Sequence, residues 1–134
     1  RIMDRTLALI KPDAVERNLI GNIITVIEND GFIIKDMKLM KMTVPIAEKF
    51  YACHQGKPFF DKLIKYMTSG KIVALVLEKN NAVASYRNLI GSTDPQTADE
   101  GTIRKLYAID KSYNSVHGSD SDENASKEIS IIFG

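Results

Sequence analysis

Apolar side chains recur along this chain with two periods, which predict strands alternating with helices. Residues 6–10 and 72–77 are short apolar runs, and the valines and isoleucine of the second run favour a strand. Between them, apolar residues at i, i+3, i+4 and i+7 predict an amphipathic helix over residues 20–27. The Asn-Asp-Gly sequence at 29–31 supplies the end of that helix.

Residues 37–42 alternate between apolar side chains and lysines, but the phase of the alternation reverses at Leu39 and Met40. A one-residue slip moves side chains to the opposite face of a strand, and a β-bulge is the usual cause. We therefore predict a long strand with a bulge near Leu39 and Met40.

Four further helices are predicted from helical spacing and from start and stop residues. They cover residues 45–51, 60–67, 82–90 and a final segment that begins after an N-cap at Ser121 or Asp122. Two of these helical patterns fall between the second and third strands. The order predicts one domain, residues 1–134, folded as a two-layer α/β sandwich with a split βαβ pattern.

Residues 91–115 show little period of either kind, which is unusually long for a compact domain. A segment of this kind is usually a functional loop or a disordered one. Thr93, Arg104 and Asn114 lie inside it and favour a functional loop, because hydroxyl, guanidinium and amide groups are suited to polar ligands.

The bulk composition is that of an ordinary globular protein, with 26% charged residues and a net charge of +1. Neither nucleic acid nor an anionic membrane is an expected partner, although a local basic cluster could bind a small polyanion. Cys53 is the single cysteine, which excludes an internal disulfide and favours a reducing, cytoplasmic location. Neither a membrane span nor a targeting segment is expected.

Candidate chemistry concentrates in residues 114–121, where His117 is followed by a glycine and small oxygen-bearing side chains. A free imidazole has a pKa of about 6.5, so His117 is either a nucleophile or proton carrier, or a satisfied histidine at a strand end. Glu128 flanks the apolar stripe of the last helix and could orient such an imidazole. The alternative for Glu128 is a surface ion pair, for example with Lys127.

Three basic residues, Lys11, Arg87 and Arg104, would make a phosphate clamp if the fold brings them to one histidine. Taken alone, each of them is more typical of solvated surface than of a phosphate site. Tyr51 and Phe59 bracket a Gly-Lys-Pro break, where their rings either meet a base or pack in the core.

No combination of histidine, cysteine and carboxylate residues has the spacing of a zinc or calcium site, and His54 is expected at the surface. Glycine-rich phosphate-binding loops are also missing from the sequence. A nucleotide that binds this chain would therefore bind without the usual glycine cradle.

The stretch from 114 to 121 resembles the signature of nucleoside diphosphate kinases around their phosphorylated histidine. Further similarity to this family lies in residues 6–13, 56–60, 66–70 and 101–104. The resemblance spans nearly the whole chain. It implies a ferredoxin-like α+β sandwich, in which helices pack on a four-stranded antiparallel sheet.

The resemblance also implies an activity, the transfer of the γ-phosphoryl group of a nucleoside triphosphate to a diphosphate by a ping-pong mechanism. His117 would carry the phosphoryl group, with Tyr51 beside it and with Glu128 and Ser119 holding its reactive tautomer. Lys11 would reach the γ-phosphate and the ribose 3'-hydroxyl. Mg²⁺ would arrive bridging the nucleotide phosphates, without a protein cage.

The resemblance also implies which residues contact the substrate. Beside Lys11, it places Arg87, Thr93 and Arg104 at the phosphates, Asn114 at the sugar, and Phe59 and Leu63 over one face of the base. Stacking on an aromatic face without reading base edges would make the enzyme tolerant of base identity.

Two positions depart from the family pattern. Family members usually carry an acidic residue at the position of Cys53, and commonly an aliphatic one at the position of Lys111, over the base. A lysine can still cover a base with its methylenes, but the affinity for bases and the preference among them can then differ from those of the family.

Family members assemble into tetramers or hexamers, so a homo-oligomer is expected here. The alternatives are a non-catalytic nucleotide-binding module and a protein phosphocarrier of the same fold. The basic residues and His117 are intact, which counts against the first alternative, and broad nucleotide binding would count against the second.

Overall fold

The computed structural model describes residues 4–134. Its strands are β1 (Asp4–Ile10), β2 (Ile33–Lys41), β3 (Lys71–Lys79) and β4 (Val116–Gly118). Its α-helices are α1 (Pro12–Glu16), α2 (Ile20–Asn29), α3 (Val44–Phe50), α4 (Phe60–Met67), α5 (Ala82–Ile90), α6 (Ile103–Tyr107) and α7 (Asp122–Phe133). A single turn of 3-10 helix at Ala52–His54 follows α3.

The strands form one antiparallel sheet in the order β2-β3-β1-β4. This sheet with its packed helices confirms the predicted ferredoxin-like α+β fold. The apolar runs predicted as strands become β1 and β3, the two central strands, which are buried on both faces. The short strand β4 lies at the edge beside β1 and places His117 opposite Leu9.

Successive side chains of β1 point to opposite faces of the sheet, and each face has its own core. Ala8 and Ile10 belong to a cluster with apolar residues of α2 and α5. Leu7 and Leu9 belong to a second cluster with residues of α3, α4 and α7. Helices therefore cover both faces, so the prediction of two layers was incomplete.

The predicted bulge in β2 was placed wrongly. The register shift lies between Ile34 and Asp36, whereas Leu39 and Met40 keep a regular antiparallel register with β3. Leu39 is 56% exposed, while Met40 on the opposite face packs against the second core cluster. Apolar residues occur on both faces of this edge strand, and that explains the reversed alternation without a slip.

The segment from 91 to 115 contains the short helix α6, which the sequence pattern did not predict. Thr102 caps this helix, since its hydroxyl accepts a hydrogen bond from the Lys105 amide at 3.3 Å. Five residues are too few to show a helical period. Of the two N-cap candidates for α7, Ser121 is the one observed, since its hydroxyl accepts a hydrogen bond from the Asn124 amide at 3.1 Å, and Asp122 is the first residue of the helix.

Candidate active site

A cleft of about 1430 Å³ opens beside the β1–β4 edge of the sheet. Every site residue expected from the sequence lines this cleft, except Ser119, which is fully buried behind it. The expected site residues that line the cleft are Lys11, Tyr51, Phe59, Leu63, Arg87, Thr93, Arg104, Asn114, His117 and Glu128. The fold thus assembles one site from both ends and the middle of the chain.

His117 lies on β4, and its ring packs against two aromatic side chains at the end of α3. Its centroid lies 5.1 Å from that of Phe50 and 6.4 Å from that of Tyr51, both edge-on. The next residue, Gly118, allows α5 to approach closely, because a Cβ there would lie 2.8 Å from the ring of Tyr86. Packing therefore fixes both the strand and the imidazole.

Glu128 on α7 and Ser119 determine the tautomer of His117. The Glu128 Oε1 lies 2.8 Å from the His117 Nε2 and also accepts the Ser119 hydroxyl at 2.8 Å. An ionised carboxylate can only accept, so Nε2 must carry the proton. Within residues 4–134 no hydrogen bond engages Nδ1, which is left with its lone pair.

Burial lowers the pKa of His117 below its ordinary value, while the hydrogen bond and the charge of Glu128 oppose that shift. Lys11 and Arg104 lower it further. The imidazole is therefore neutral at physiological pH. A neutral imidazole with a free lone pair is a nucleophile.

Lys11 follows β1 and reaches the same cleft. Its Nζ donates to the Asn114 Oδ1 at 2.9 Å, and its backbone amide donates to the Ser115 carbonyl at 2.8 Å. Burial lowers the pKa of Lys11 to about 8, assisted by the charge of Arg104 and opposed by Asp13. The ammonium group is thus buried, directed by an amide and readily stabilised by an incoming anion.

Arg104 on α6 is held by two backbone carbonyls. It donates to the Gly91 oxygen at 3.1 Å and to the Val116 oxygen at 2.9 Å, and its Nε is buried without a partner in the described part of the chain. A guanidinium group fixed in this way presents a permanent positive charge next to His117. Arg87 and Thr93 line the cleft nearby as exposed side chains.

Tyr51 contributes a buried phenol beside His117. Its hydroxyl has no hydrogen-bond partner among residues 4–134. Burial raises the pKa of Tyr51 far above its usual value, and the charge of Glu128 adds to the rise. The hydroxyl is therefore neutral and available as a donor to a ligand.

At the far end of the cleft, Phe59 is 48% exposed and stands at the start of α4, with the half-buried Leu63 one turn further on. The ring of His54 lies 5.3 Å from Phe59 and 6.3 Å from Tyr51, and its Nδ1 is buried. His54 is therefore half-buried between aromatic rings, which corrects its expected surface position. Together these rings form an aromatic wall at this end of the cleft.

Sequence reasoning missed a second polar cluster along this cleft. The carboxylate of Asp13 accepts hydrogen bonds from Tyr66, Ser115 and Arg17, and all but Ser115 of these residues line the cleft. These residues lie within or beside the stretches that carry the family resemblance. Their spacing, however, gives no sign that they meet.

The family is decided by a comparison with known proteins, in which the family model described as nucleoside diphosphate kinase matches residues 4–134. The chain belongs to the nucleoside diphosphate kinase family. It is accordingly an enzyme, a phosphotransferase that moves the γ-phosphoryl group of a nucleoside triphosphate to a nucleoside diphosphate. The function predicted from the sequence is thereby confirmed.

Individual nucleoside diphosphate kinases are similar to this chain over nearly its whole length. Those of Histophilus somni and Lawsonia intracellularis are each 56% identical to it over 131 residues, which is 98% of this chain and 93% and 95% of theirs. The solved structure of the Aquifex aeolicus enzyme matches with a TM-score of 0.95 and 39% identity, covering 98% of this chain and 96% of that one. The Halobacterium salinarum enzyme, solved in complex with CDP, matches with a TM-score of 0.94 and 41% identity, covering 98% and 88%.

Two properties of the described residues bear on what else a nucleoside diphosphate kinase of this sequence can bind. Residues 4–134 contain no group of three or more histidine, cysteine or carboxylate side chains placed to hold a metal ion. None of their helices combines the length and apolarity needed to cross a lipid bilayer. The two positions that depart from the family pattern, Cys53 and Lys111, are exposed side chains on the lining of the cleft.

Proposed function

We propose that this nucleoside diphosphate kinase works by a ping-pong mechanism in which His117 carries the phosphoryl group. The lone pair of the His117 Nδ1 attacks the γ-phosphorus of a nucleoside triphosphate. A P–N bond forms, the bond to the β–γ bridging oxygen breaks, and the diphosphate leaves with that electron pair. A second diphosphate then attacks the phosphohistidine and restores the free imidazole.

The observation that carries this proposal is the hydrogen bond between the His117 Nε2 and Glu128, braced by Ser119. It directs the proton to Nε2 and leaves Nδ1 as the nucleophile. As phosphorylation makes the ring more positive, the carboxylate stabilises that charge without having to move. Ser119 and Glu128 therefore act through the imidazole.

The groups around His117 fit the charges that develop on the phosphoryl oxygens. Lys11 and the carbonyl-held Arg104 supply buried positive charge, and Tyr51 supplies a neutral hydroxyl. Arg87 and Thr93 would hold the remaining phosphate oxygens from the rim of the cleft. Positioned charge of this kind is most of what phosphoryl transfer needs from a protein.

The sugar and the base would extend away from His117 along the cleft. The Lys11–Asn114 pair offers a donor and an acceptor for ribose hydroxyls, and Phe59 with Leu63 offers a flat face for the base. A stacking face without fixed polar partners accepts every base. The Halobacterium salinarum relative in complex with CDP supports a nucleotide in this cleft.

Mg²⁺ fits this site as an ion carried by the nucleotide. The described residues provide cationic and hydroxyl groups for phosphates but no carboxylate cage, and Mg²⁺ readily takes phosphate oxygens and water as ligands. When bound, the ion would neutralise negative charge on the nucleotide phosphates. Lys11, Arg87 and Arg104 would then orient the phosphate chain around it.

We also propose that residues 1–134 form one domain that assembles into a homo-oligomer, a tetramer or a hexamer. The edge strand β2 supports assembly, since Ile33, Met37 and Leu39 are 48%, 51% and 56% exposed. The cytoplasmic location remains a prediction from the single cysteine, Cys53. Nothing in the site favours the non-catalytic module or the phosphocarrier.

The testing experiment is transfer of label in two steps. The protein is mixed with γ-labelled ATP and Mg²⁺, isolated, and then given unlabelled GDP, with His117→Gln as the control. We expect acid-labile label on the wild type only, discharged rapidly to GTP. Label that forms but stays on the protein would favour a phosphocarrier, and no label despite nucleotide binding would favour the non-catalytic module.

A further inference from the structure

The carboxylate of Asp13 is buried at the base of the cleft, with its side chain only 6% exposed. Its Oδ1 accepts the hydroxyl of Tyr66, and its Oδ2 accepts the Ser115 hydroxyl at 3.1 Å and an Arg17 guanidinium nitrogen at 3.1 Å. A buried carboxylate with this many donors is a fixed structural joint. The mechanism proposed above assigns it no role.

The donors of this joint come from parts of the chain that form different walls of the cleft. Tyr66 lies on α4, the helix that begins after Phe59 and carries Leu63. Its ring also meets the ring of Tyr113 edge-on, with centroids 5.2 Å apart. Through Tyr66, the Asp13 carboxylate is therefore connected both to α4 and to the turn that contains Tyr113.

Ser115 ties the same carboxylate to the sugar-binding pair. Its backbone has a φ of 71°, in the left-handed region that serine rarely adopts, so surrounding contacts must hold it there. Those contacts are the hydroxyl bond to Asp13 and the bond from the Lys11 amide to the Ser115 carbonyl at 2.8 Å. Ser115 directly follows Asn114, which directs the Lys11 ammonium.

Arg17 completes the cluster from the far side. One of its guanidinium nitrogens lies 3.1 Å from the Asp13 carboxylate, 3.1 Å from the Ser115 hydroxyl and 2.8 Å from the Tyr107 carbonyl. The charge of Asp13 is thus paired, and the end of α6 is drawn to the same point. No phosphate contact is needed to explain why Arg17 lines the cleft.

We propose that Asp13 is a positioning residue for the sugar and base of the nucleotide, and that it acts through Tyr66 and Ser115. The carboxylate fixes the distance between the base-stacking face of Phe59 and Leu63, at the start of α4, and the Lys11–Asn114 pair. A nucleotide anchored at its phosphates meets both only while this joint is intact. The inference rests on the proposed function, since it assumes that nucleotides bind along this cleft toward His117.

Tyr66→Phe is the main test variant, because it removes one hydroxyl and keeps the ring and its contact with Tyr113. Asp13→Asn is a second variant, which removes the charge and keeps the shape. Tyr107→Phe is the matched control, since its hydroxyl has no hydrogen bond among residues 4–134 and its carbonyl contact to Arg17 is retained. Thermal unfolding of all three establishes that they are folded.

The readout compares two phosphoryl donors for His117, Mg-ATP and phosphoramidate, which has neither sugar nor base. We expect Tyr66→Phe to slow labelling from subsaturating ATP roughly tenfold, the loss typical of a hydrogen bond to a charged group. Labelling from phosphoramidate should change less than about twofold, a difference within the usual additivity error. Asp13→Asn should follow the same pattern with a larger loss, and Tyr107→Phe should match the wild type.

A second comparison uses 3'-deoxy-ATP in place of ATP. If the joint aligns the Lys11–Asn114 pair with the ribose, removal of the 3'-hydroxyl costs less in Tyr66→Phe than in the wild type, as coupled changes do. Fully additive losses would overturn the inference. Equal losses of labelling rate with ATP and with phosphoramidate would also overturn it, because they would show that the substitution disturbs the histidine itself. Labelling at the wild-type rate by both variants would overturn it as well.

Failure of this inference and failure of the proposed function give different results. A wild-type protein that takes no label at His117 from either donor contradicts the proposed function itself. A wild-type protein that labels normally, together with variants that label like it, contradicts only the role of Asp13.

Discussion

The two ends of the cleft differ in how firmly their side chains are held. At the phosphoryl end, Lys11 and Arg104 are only 8% and 9% exposed, and each is fixed by hydrogen bonds. At the base end, Phe59, Ile109 and Tyr113 are 48%, 58% and 42% exposed. The same cavity thus has buried, hydrogen-bonded cations at one end and exposed apolar side chains at the other.

This difference matches the two tasks of a nucleoside diphosphate kinase. Charge that develops during phosphoryl transfer is stabilised best by groups that are already in place, since reorganisation would raise the barrier. Different bases, in contrast, are accepted best by a surface without fixed hydrogen-bond partners. We therefore expect substitutions at the phosphoryl end to change rates strongly and substitutions at the base end to change binding modestly.

The largest effect should come from Glu128→Ala. Loss of the carboxylate leaves the Nε2 of His117 without its acceptor, so phosphorylation should slow by roughly a hundredfold while nucleotide binding stays nearly unchanged. Rapid-quench labelling and equilibrium binding measure the two quantities. Glu123→Ala is the control, because Glu123 lies on the same helix in an exposed pair with Lys127. Wild-type labelling by Glu128→Ala would remove Glu128 from the site.

The next effect is a pH dependence at the phosphoryl end. The pKa of Lys11 is lowered to about 8, so its charge is lost as pH rises through that value. In the free enzyme kcat/KM should then fall by roughly tenfold for each further pH unit, as expected for one essential ionisation. Bound phosphates stabilise the ammonium, so kcat should persist to higher pH.

Lys11→Arg tests the assignment of that ionisation. An arginine keeps its charge throughout this range, so the alkaline fall of kcat/KM should disappear even if the overall rate is lower. A profile with the same fall in Lys11→Arg would show that another group titrates.

At the base end, Phe59→Ala should raise KM for every nucleotide by a similar factor and leave kcat nearly unchanged. Base stacking on an aromatic ring is worth about 1–3 kcal/mol. Initial rates with four different diphosphates measure the effect. Leu106→Ala is the control, because Leu106 is 52% exposed but lies outside the cleft. A change confined to one base would show that Phe59 reads identity.

The smallest effect should come from Lys111→Val, at the position where the family commonly has an aliphatic residue. An ammonium group donates but never accepts, so Lys111 should favour bases with carbonyl oxygens over those with amino groups. An exposed donor is worth less than about 1 kcal/mol, so the ratio of kcat/KM for GDP over ADP should fall by only a few-fold. An unchanged ratio would exclude Lys111 from base preference.

Local patterns in the sequence were enough to predict most elements of the fold. The apolar runs became β1 and β3, and the helical spacing at 20–27 became α2. The bulge in β2 was misplaced because an edge strand can be apolar on both faces, which weakens the alternation rule. Helix α6 was missed because its five residues are too few to show a helical period.

The candidate site divides in the same way. Lys11, His117 and Glu128 were singled out from their side-chain chemistry and their local sequence patterns, and the family resemblance then implied their roles. The Asp13 joint was not found, because its bonds to Tyr66 and Ser115 span 53 and 102 positions. Contacts at that distance depend on the order of the strands and on how the helices pack against them, and periodicity does not determine either.

The pairing of β1 with β4 also has a consequence for how the enzyme is made. Strand β1 leaves the ribosome before β2 and β3, whereas its partner β4 and α7, the helix that carries Glu128, follow only after them. Contacts between such distant segments form late, since a chain must close a long loop to make them. The central strands can therefore pair during synthesis before β4 and α7 exist, whereas the hydrogen bond between His117 and Glu128 can form only after both have been made.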